Sequence, residues 1–129
     1  MISLTIYGQP VSKKNSMQMA RTKTGRFFPV PSAPYRRWMT LAKRQIQGDI
    51  AACYSQLPIT APVHLKILAY RHTKRKIDLS NIYAAVEDML QKYGVLKDDA
   101  QVESHDGSRK FYGVAKEVAR VEIEIKEFT

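Results

Sequence analysis

A basic run and two groups of carboxylates lie close together in the second half of the chain. The run covers residues 71–76, Asp78 follows it almost directly, and the pair Asp98-Asp99 comes twenty residues later. Carboxylate oxygens are preferred ligands of magnesium and manganese, and such an ion polarises a phosphodiester and activates water. Lysine and arginine bind the phosphates of a polyanion. These residue types therefore predict a metal-dependent phosphodiester hydrolase.

This interpretation requires Asp78 and Asp99 to meet, which their spacing alone does not establish. The helix predicted between them, over residues 80–93, is about 21 Å long at its rise of 1.5 Å per residue. The acids meet only if the chain doubles back and the next strand runs beside the strand that precedes the helix. The alternative is structural, because Asp78 and Ser80 are typical helix caps and Asp98-Asp99 is typical of a turn. Both interpretations stay open on spacing.

The first half of the chain predicts one strand, one long loop and one helix. Apolar residues alternate over 2–6, and residues 9–33 form a loop of turn formers and cations. Ser32 begins a helix that should end near Gly48. The loop cations are Lys13, Lys14, Arg21, Lys23 and Arg26. Two aromatics in the loop, Phe27 and Phe28, should anchor it to the core, with stacking on bases as the alternative.

The second half predicts a strand, a helix and a terminal pair of strands. Alternation over 63–70 predicts the strand, and an i, i+3, i+4, i+7 apolar series over 80–93 predicts the helix, which Gly94 ends. Segments 100–112 and 117–127 are expected to pair as a hairpin. The order β-α-β-α-β-β predicts an α/β (α+β) fold, a single compact domain over residues 1–129 with a mixed sheet.

Composition narrows the class of protein. A chain of 129 residues with 44% hydrophobic and 26% charged residues is typical of one globular domain. There is no apolar run of roughly 20 residues, and the N-terminus does not resemble a signal peptide, so a cytoplasmic protein is expected. The single cysteine, Cys53, is expected to be a small buried or incidental residue. His64, His72 and His105 lack the spacing of zinc ligands.

The charge is distributed unevenly. Residues 1–77 contain 14 Lys and Arg against one acid, Asp49, whereas residues 78–129 contain 7 against 11 acids. A basic chain can owe its charge to solubility alone, but an imbalance this large favours nucleic-acid binding. A membrane-surface helix is less favoured, because the cations lie in loops and strand ends as well as on one helix.

The motifs around the acids resemble the RusA family of Holliday-junction resolvases, which are small endonucleases common in prophages. The resemblance covers residues 71–103. It is carried by Lys74-Arg75-Lys76, Asp78-Leu79-Ser80-Asn81, Asp88-Met89-Leu90, Gly94 and Asp98-Asp99-Ala100-Gln101-Val102. The family pattern has a basic run, Asp-x-Asp-Asn, a lysine one helical turn later, Asp-x-Leu, glycine and Asp-Asp-(Ala or Ser)-Gln-(Val or Ile).

The resemblance implies a homodimer with a RusA-like mixed sheet that binds four-way DNA junctions and cuts two strands symmetrically with Mg²⁺, with Mn²⁺ as the alternative ion. It makes Asp78 the first metal ligand and Asp99 the last, in a catalytic group with Asp98. Asn81 would orient a ligand or water, with Ser80 and Asp88 in supporting positions. Lys74, Arg75 and Lys76 would bind the phosphates. The loop cations are the other predicted DNA-binding residues, namely Lys13, Lys14, Arg21, Lys23 and Arg26.

Two positions depart from the family pattern. Ser80 stands where the family has its second acid, and Ala84 stands where it has its lysine. These changes predict weaker metal binding and less stabilisation of charge on the phosphate. Candidates to compensate are Asp98, Glu103, Asp106, Lys76 and Lys97. A binder of junction DNA that has lost cutting is therefore the first alternative, and an RNA-binding or ribosome-associated protein is the second.

Overall fold

The computed structural model describes residues 1–12, 17–50 and 57–128 of the chain. Lys13, Lys14 and Cys53 lie outside the described residues. The elements are β1 (Ile2–Tyr7), β2 (Met17–Arg21), β3 (Phe27–Pro31), α1 (Ala33–Ile50), β4 (Val63–Tyr70), α2 (Leu79–Lys92), β5 (Val102–Ser104), β6 (Arg109–Phe111) and β7 (Arg120–Glu127). Short 3-10 turns at Asp99–Gln101 and Lys116–Val118 precede β5 and β7.

The main sheet is mixed, as the sequence predicts. Strand β7 lies between β1 and β4 and is antiparallel to both. On the other edge of β4, β5 and β6 pair in parallel with successive parts of the strand. The α2 helix connects β4 to β5 and so forms a parallel crossover. Strands β2 and β3 form a separate two-stranded sheet.

The core lies on one face of the main sheet. Alternate residues of β1, β4 and β7 are buried, and the pairing register puts them on the same face. Both helices contribute their apolar stripes to this cluster, from Tyr35 to Ile46 in α1 and from Ile82 to Leu90 in α2. The fold therefore has two layers, with both helices on one side of the sheet.

Local signals fix the ends of the helices. The Ser32 hydroxyl accepts a hydrogen bond of 3.3 Å from the Tyr35 N–H, so the predicted cap of α1 is confirmed. Gly94 follows α2 with φ of +76°, a backbone conformation that favours glycine. Helix α1 continues past Gly48 to Ile50, beyond its predicted end. No helix of the described residues is long and apolar enough to cross a membrane.

The expected loop over residues 9–33 is corrected in part, because it contains the β2–β3 hairpin. The prolines of β3 and the turn at Gly25 are typical of a loop, so the sequence does not indicate these strands. The expected anchoring of Phe27 and Phe28 in the core is also wrong, since their side chains are 62% and 40% exposed.

The expected terminal hairpin is wrong as well. The 100–112 segment pairs with one edge of β4, and β7 pairs with the other edge. Alternation predicted that β7 is a strand, but it does not reveal the neighbour of a strand, because pairing depends on contacts that are distant in the sequence.

Candidate functional site

A cleft lined by cations lies where the chain passes from β4 into α2. Because β6 runs parallel to β4 and ends beside Tyr70, this cleft sits beyond the carboxyl ends of two parallel strands, a common place for ligands in α/β sheets. We call it the basic cleft. Its lining residues are Arg71, Arg75, Lys76, Ile77, Asp78 and Asn81.

Arg71 belongs to the basic run but is not among the individual residues predicted to bind phosphates. It follows β4 directly, and its backbone N–H donates to the Phe111 carbonyl at 2.9 Å. Its Nε atom is buried and has no hydrogen-bond partner in the described part of the chain. Burial lowers the pKa of the Arg71 guanidinium, and Arg75 lowers it further. A second cleft, toward Gln9 and Ser12, also has Arg71 in its wall.

Asp78 precedes the N-terminal end of α2, and its position is fixed by two backbone hydrogen bonds of its neighbour Ile77. The Ile77 carbonyl accepts a hydrogen bond of 2.6 Å from the Lys110 Nζ, and its N–H donates at 3.5 Å to the Tyr112 hydroxyl. Burial raises the pKa of Tyr112, but the bond from Ile77 and the charge of Lys110 outweigh it, so this pKa lies below its ordinary value. Asp78 occupies the N-cap position, yet its side chain makes no capping hydrogen bond. The cap interpretation therefore does not account for its carboxylate.

The predicted DNA-binding cations that the structure describes are all exposed. Lys74, Arg75 and Lys76 lie in the loop between β4 and α2. Arg21, Lys23 and Arg26 lie at the end of the β2–β3 hairpin. An exposed cation can reach a phosphate without being drawn out of a buried ion pair.

Asp98 and Asp99 lie at the other end of α2, in the short 3-10 turn that leads into β5. The Asp98 carboxylate accepts a hydrogen bond of 3.0 Å from the Ala100 N–H, and the Asp98 N–H donates to the Gln101 side chain at 2.9 Å. The Ala100 bond lowers the pKa of Asp98, whereas the hydrogen bond with Asp98 raises the pKa of the Asp99 carboxyl. The turn interpretation of this pair is confirmed.

Glu87 and His105 adjoin this pair and were not found by sequence reasoning. The His105 Nε2 and Glu87 Oε1 atoms lie 2.5 Å apart, within hydrogen-bond distance. The His105 ring stacks on Tyr83 with 3.9 Å between ring centres. Burial raises the pKa of Glu87, His105 lowers it, and the nearby charge of Asp99 raises it. Glu87 is seven residues after Ser80 and so lies on the same face of α2, which is a signal that the sequence contains. We call Glu87, Asp98, Asp99 and His105 the carboxylate cluster.

Within one copy of the chain, Asp78 and Asp99 do not meet. Strand β5 runs beside β4, as the convergence required, but Val102 pairs with Val63 at the start of β4. Asp78 follows residues that pack near the end of β4, since Ile77 bonds Lys110 and Lys110 pairs with Ala69. The two ends of an eight-residue strand lie roughly 23 Å apart. The expected convergence within the chain is therefore wrong, because the crossover returns to the start of β4.

A metal site within one copy does not fit this arrangement. Residues 1–12, 17–50 and 57–128 contain no group of three or more His, Cys, Asp or Glu side chains that could hold a metal ion. Ser80, which stands where the family has its second acid, is exposed in the first turn of α2, and Ala84 is exposed one turn later. One chain therefore offers Asp78 at one end of α2 and Asp99 at the other.

The remaining candidates have separate positions. Asp88 accepts a hydrogen bond of 2.6 Å from the Tyr35 hydroxyl, so it links α2 to α1 and is only partly exposed. Glu103 lies in β5 and Asp106 in the turn before β6. Lys97 is exposed beside Asp98.

Comparison with known proteins gives a family. The RusA family model, described as Endodeoxyribonuclease RusA, matches residues 7–126. This range includes both the basic cleft and the carboxylate cluster. No curated protein matches the chain.

Proposed function

The chain belongs to the RusA family of endodeoxyribonucleases, and we propose that it resolves four-way DNA junctions as a homodimer, by symmetric incision that depends on Mg²⁺. The family match supports a Holliday-junction resolving endodeoxyribonuclease. The ion, the dimer, the symmetry of the cuts and a cytoplasmic location are our proposals.

The separation of Asp78 from Asp99 within one copy is the observation on which the proposed dimer rests. A two-fold axis that passes beside the middle of α2, perpendicular to the helix, would put the N-terminal end of one helix beside the C-terminal part of the other. In an isologous contact, residue i meets j and j meets i, so both ends would be completed at once. Two copies would then share two equivalent sites, and a junction with two-fold symmetry would receive two cuts.

The metal would be held between copies, by Asp78 of one copy and Asp99 of the other. A bound Mg²⁺ would polarise the scissile phosphate and favour a hydroxide nucleophile. The residues of the chain have their own tasks. Arg71, Arg75 and Lys76 bind phosphates in the basic cleft, and Asn81 orients the group beside Asp78.

Incision of a synthetic four-way junction tests the enzyme. The purified protein with Mg²⁺ should make paired cuts in strands of like polarity and should leave a linear duplex of the same sequences intact. An RNA hairpin and a duplex, compared at the same salt concentration, control for the weak binding of all polyanions by a basic protein. Tight junction binding without any incision would contradict the enzyme and leave a junction-binding protein.

That junction-binding protein is the second candidate, and Ser80 and Ala84 favour it. Both lie exposed on α2, where the family pattern has an acid and a lysine. The variant S80D/A84K should cut faster than the natural chain if only these two groups limit the rate. The variant S80N/A84M, of similar size but without the charges, is the control. If S80D/A84K binds junctions and still does not cut, the two departures are not what limits activity.

A further inference from the structure

One face of the β2–β3 hairpin is apolar and exposed. Directly paired residues share a face, and here Met19 pairs with Pro29 and Arg21 with Phe27. Met17, two residues before Met19, lies on the same side. We call these five residues the hairpin face. The Met19 and Phe27 side chains are 61% and 62% exposed, so contacts with the described residues leave most of this face open.

An exposed apolar face is unfavourable for a hairpin that has so little support from the core. The two strands form a sheet of their own, and none of their residues belongs to the buried core cluster of the described chain. A lone hairpin is only marginally stable in water, and exposed apolar surface makes its free energy in water less favourable still. The tip is nevertheless well defined. The Thr22 hydroxyl accepts a hydrogen bond of 3.0 Å from the Arg26 N–H, and the Arg21 guanidinium lies 5.5 Å from the Phe27 ring centre.

The charge around the hairpin face decides between its possible partners. Arg21 lies on the face itself, and Lys23 and Arg26 lie at the turn, all of them exposed. The first 48 residues of the chain contain no acid. Pairing this face with the same face of a second copy would bring like charges together, which is unfavourable. A polyanion with apolar surface to offer fits both the charge and the apolar residues.

Branched DNA has these properties. Proteins that kink DNA insert Phe, Met or Pro side chains between base steps, and a two-stranded ribbon fits a DNA groove. Bases at a branch point lack a neighbour on one side, so stacking there costs less than separating an intact step. We propose that the hairpin face binds bases at the branch point, with Phe27 and Met19 stacked on them and the three tip cations on the flanking phosphates. This rests on junction DNA as the substrate, and it gives the hairpin the task of recognising the branch.

Fluorescence of 2-aminopurine tests this contact without any need for cutting. The base is placed either at the branch point or in the middle of one arm of a four-way junction, and the protein is added in EDTA. The natural chain should raise the emission at the branch point and not in the arm. M19A/F27A should abolish that rise and weaken junction binding by about 10-fold, because one stacked base contributes 1–3 kcal/mol. Its binding to a linear duplex should change less than twofold.

Two matched variants complete the test. Phe128→Ala removes a phenylalanine that is 51% exposed at the far end of the chain, and it should behave as the natural protein does. Phe27→Trp keeps an aromatic ring at the hairpin face and should retain branch-point emission. Unchanged circular dichroism and thermal melting would show that M19A/F27A is folded.

The outcomes separate this proposal from the enzyme itself. If the natural chain cuts junctions and M19A/F27A binds and cuts equally well, the hairpin proposal is wrong and the enzyme stands. If the natural chain never cuts while M19A/F27A still loses the branch-point signal, the hairpin proposal stands and the enzyme is wrong. If M19A/F27A changes the oligomeric state in sedimentation, the face is a contact between copies and the proposal is overturned.

Discussion

The two ends of α2 differ in what their charged groups are free to do. In the basic cleft Arg75 and Lys76 are exposed, the half-buried Arg71 has an Nε without a partner among the described residues, and the Asp78 carboxylate makes no capping bond. In the carboxylate cluster, Glu87 is bonded to His105, and Asp98 to Ala100. One end offers exposed cations to solvent, and the other holds acids in fixed positions. A helix of about 21 Å keeps these two tasks apart in one chain, and a second copy is the simplest way to unite them.

Removing a carboxylate at either end should have the largest effect. We expect D78N and D99N each to slow incision by at least about 100-fold, since even the loss of groups that only support metal ligands costs 10- to 100-fold. Binding should not fall with incision. Each variant removes a negative charge beside the bound phosphate, so both should bind junctions at least as tightly as the natural chain does. Single-turnover incision and binding in EDTA measure the two effects. A D99N variant that cuts at the natural rate would remove the carboxylate cluster from the site.

Removing the hydrogen bond that links α2 to α1 should lower the free energy of unfolding and leave junction binding unchanged. Tyr35 is buried and donates to the Asp88 carboxylate, so Tyr35→Phe leaves a partly buried charge without this donor. We expect the free energy of unfolding to fall by about 1–3 kcal/mol, as measured by urea titration. Thr40→Val, on the exposed side of α1, is the control. Junction affinity reduced more than the stability loss explains would show that Asp88 belongs to the binding site.

The sequence predicts the regular parts of this fold well. Strand β4 and helix α2 are found almost to the residue, because their buried faces impose clean periods of 2 and 3.6 on the apolar residues. The β2–β3 hairpin was missed because its faces are both largely exposed, so no burial pattern marks it. The place of β7 between β1 and β4 depends on pairing across fifty residues or more, which a local pattern cannot contain.

The candidate site divides in the same way. Motif spacing identifies Asp78, Asp99 and the basic run, since these types and intervals recur in the family. It does not show at which end of β4 each acid lies, because that follows from the register of β5. His105 could not be found from the sequence, since only the fold brings it to Glu87.

Replacing a single lysine at each end of α2 should reveal a smaller difference between the two ends, in their contribution to DNA binding. Lys76 lies in the basic cleft and Lys97 beside the carboxylate cluster, and both are exposed. We expect K76A to weaken binding to any DNA by roughly fivefold to tenfold and to reduce the slope of log affinity against log salt by about 0.9, the value for one phosphate contact. K97A should change neither. Equal losses in the two variants would mean that phosphate is bound at both ends of one chain.

The smallest effect concerns the pH dependence of stability. Burial raises the pKa of Glu87 above its ordinary value of 4.5, so the folded chain favours the protonated acid. As the pH rises above about 4.5, the natural chain should lose stability relative to E87Q, until the raised pKa is passed. Denaturant unfolding at a series of pH values measures the difference. Glu103→Gln removes an exposed carboxylate of β5 and controls for the change in charge. A difference that grows in favour of the natural chain would mean that His105 outweighs burial.

Mixing two inactive variants tests the shared site most directly. D78N and D99N are unfolded together, refolded, and assayed on a four-way junction with Mg²⁺, beside each variant refolded alone. Each mixed dimer would contain one site with both substitutions and one site with neither. We therefore expect incision to return in the mixture, as single nicks rather than paired cuts. If the mixture contains mixed dimers and remains as inactive as its components, Asp78 and Asp99 of different copies do not form the site.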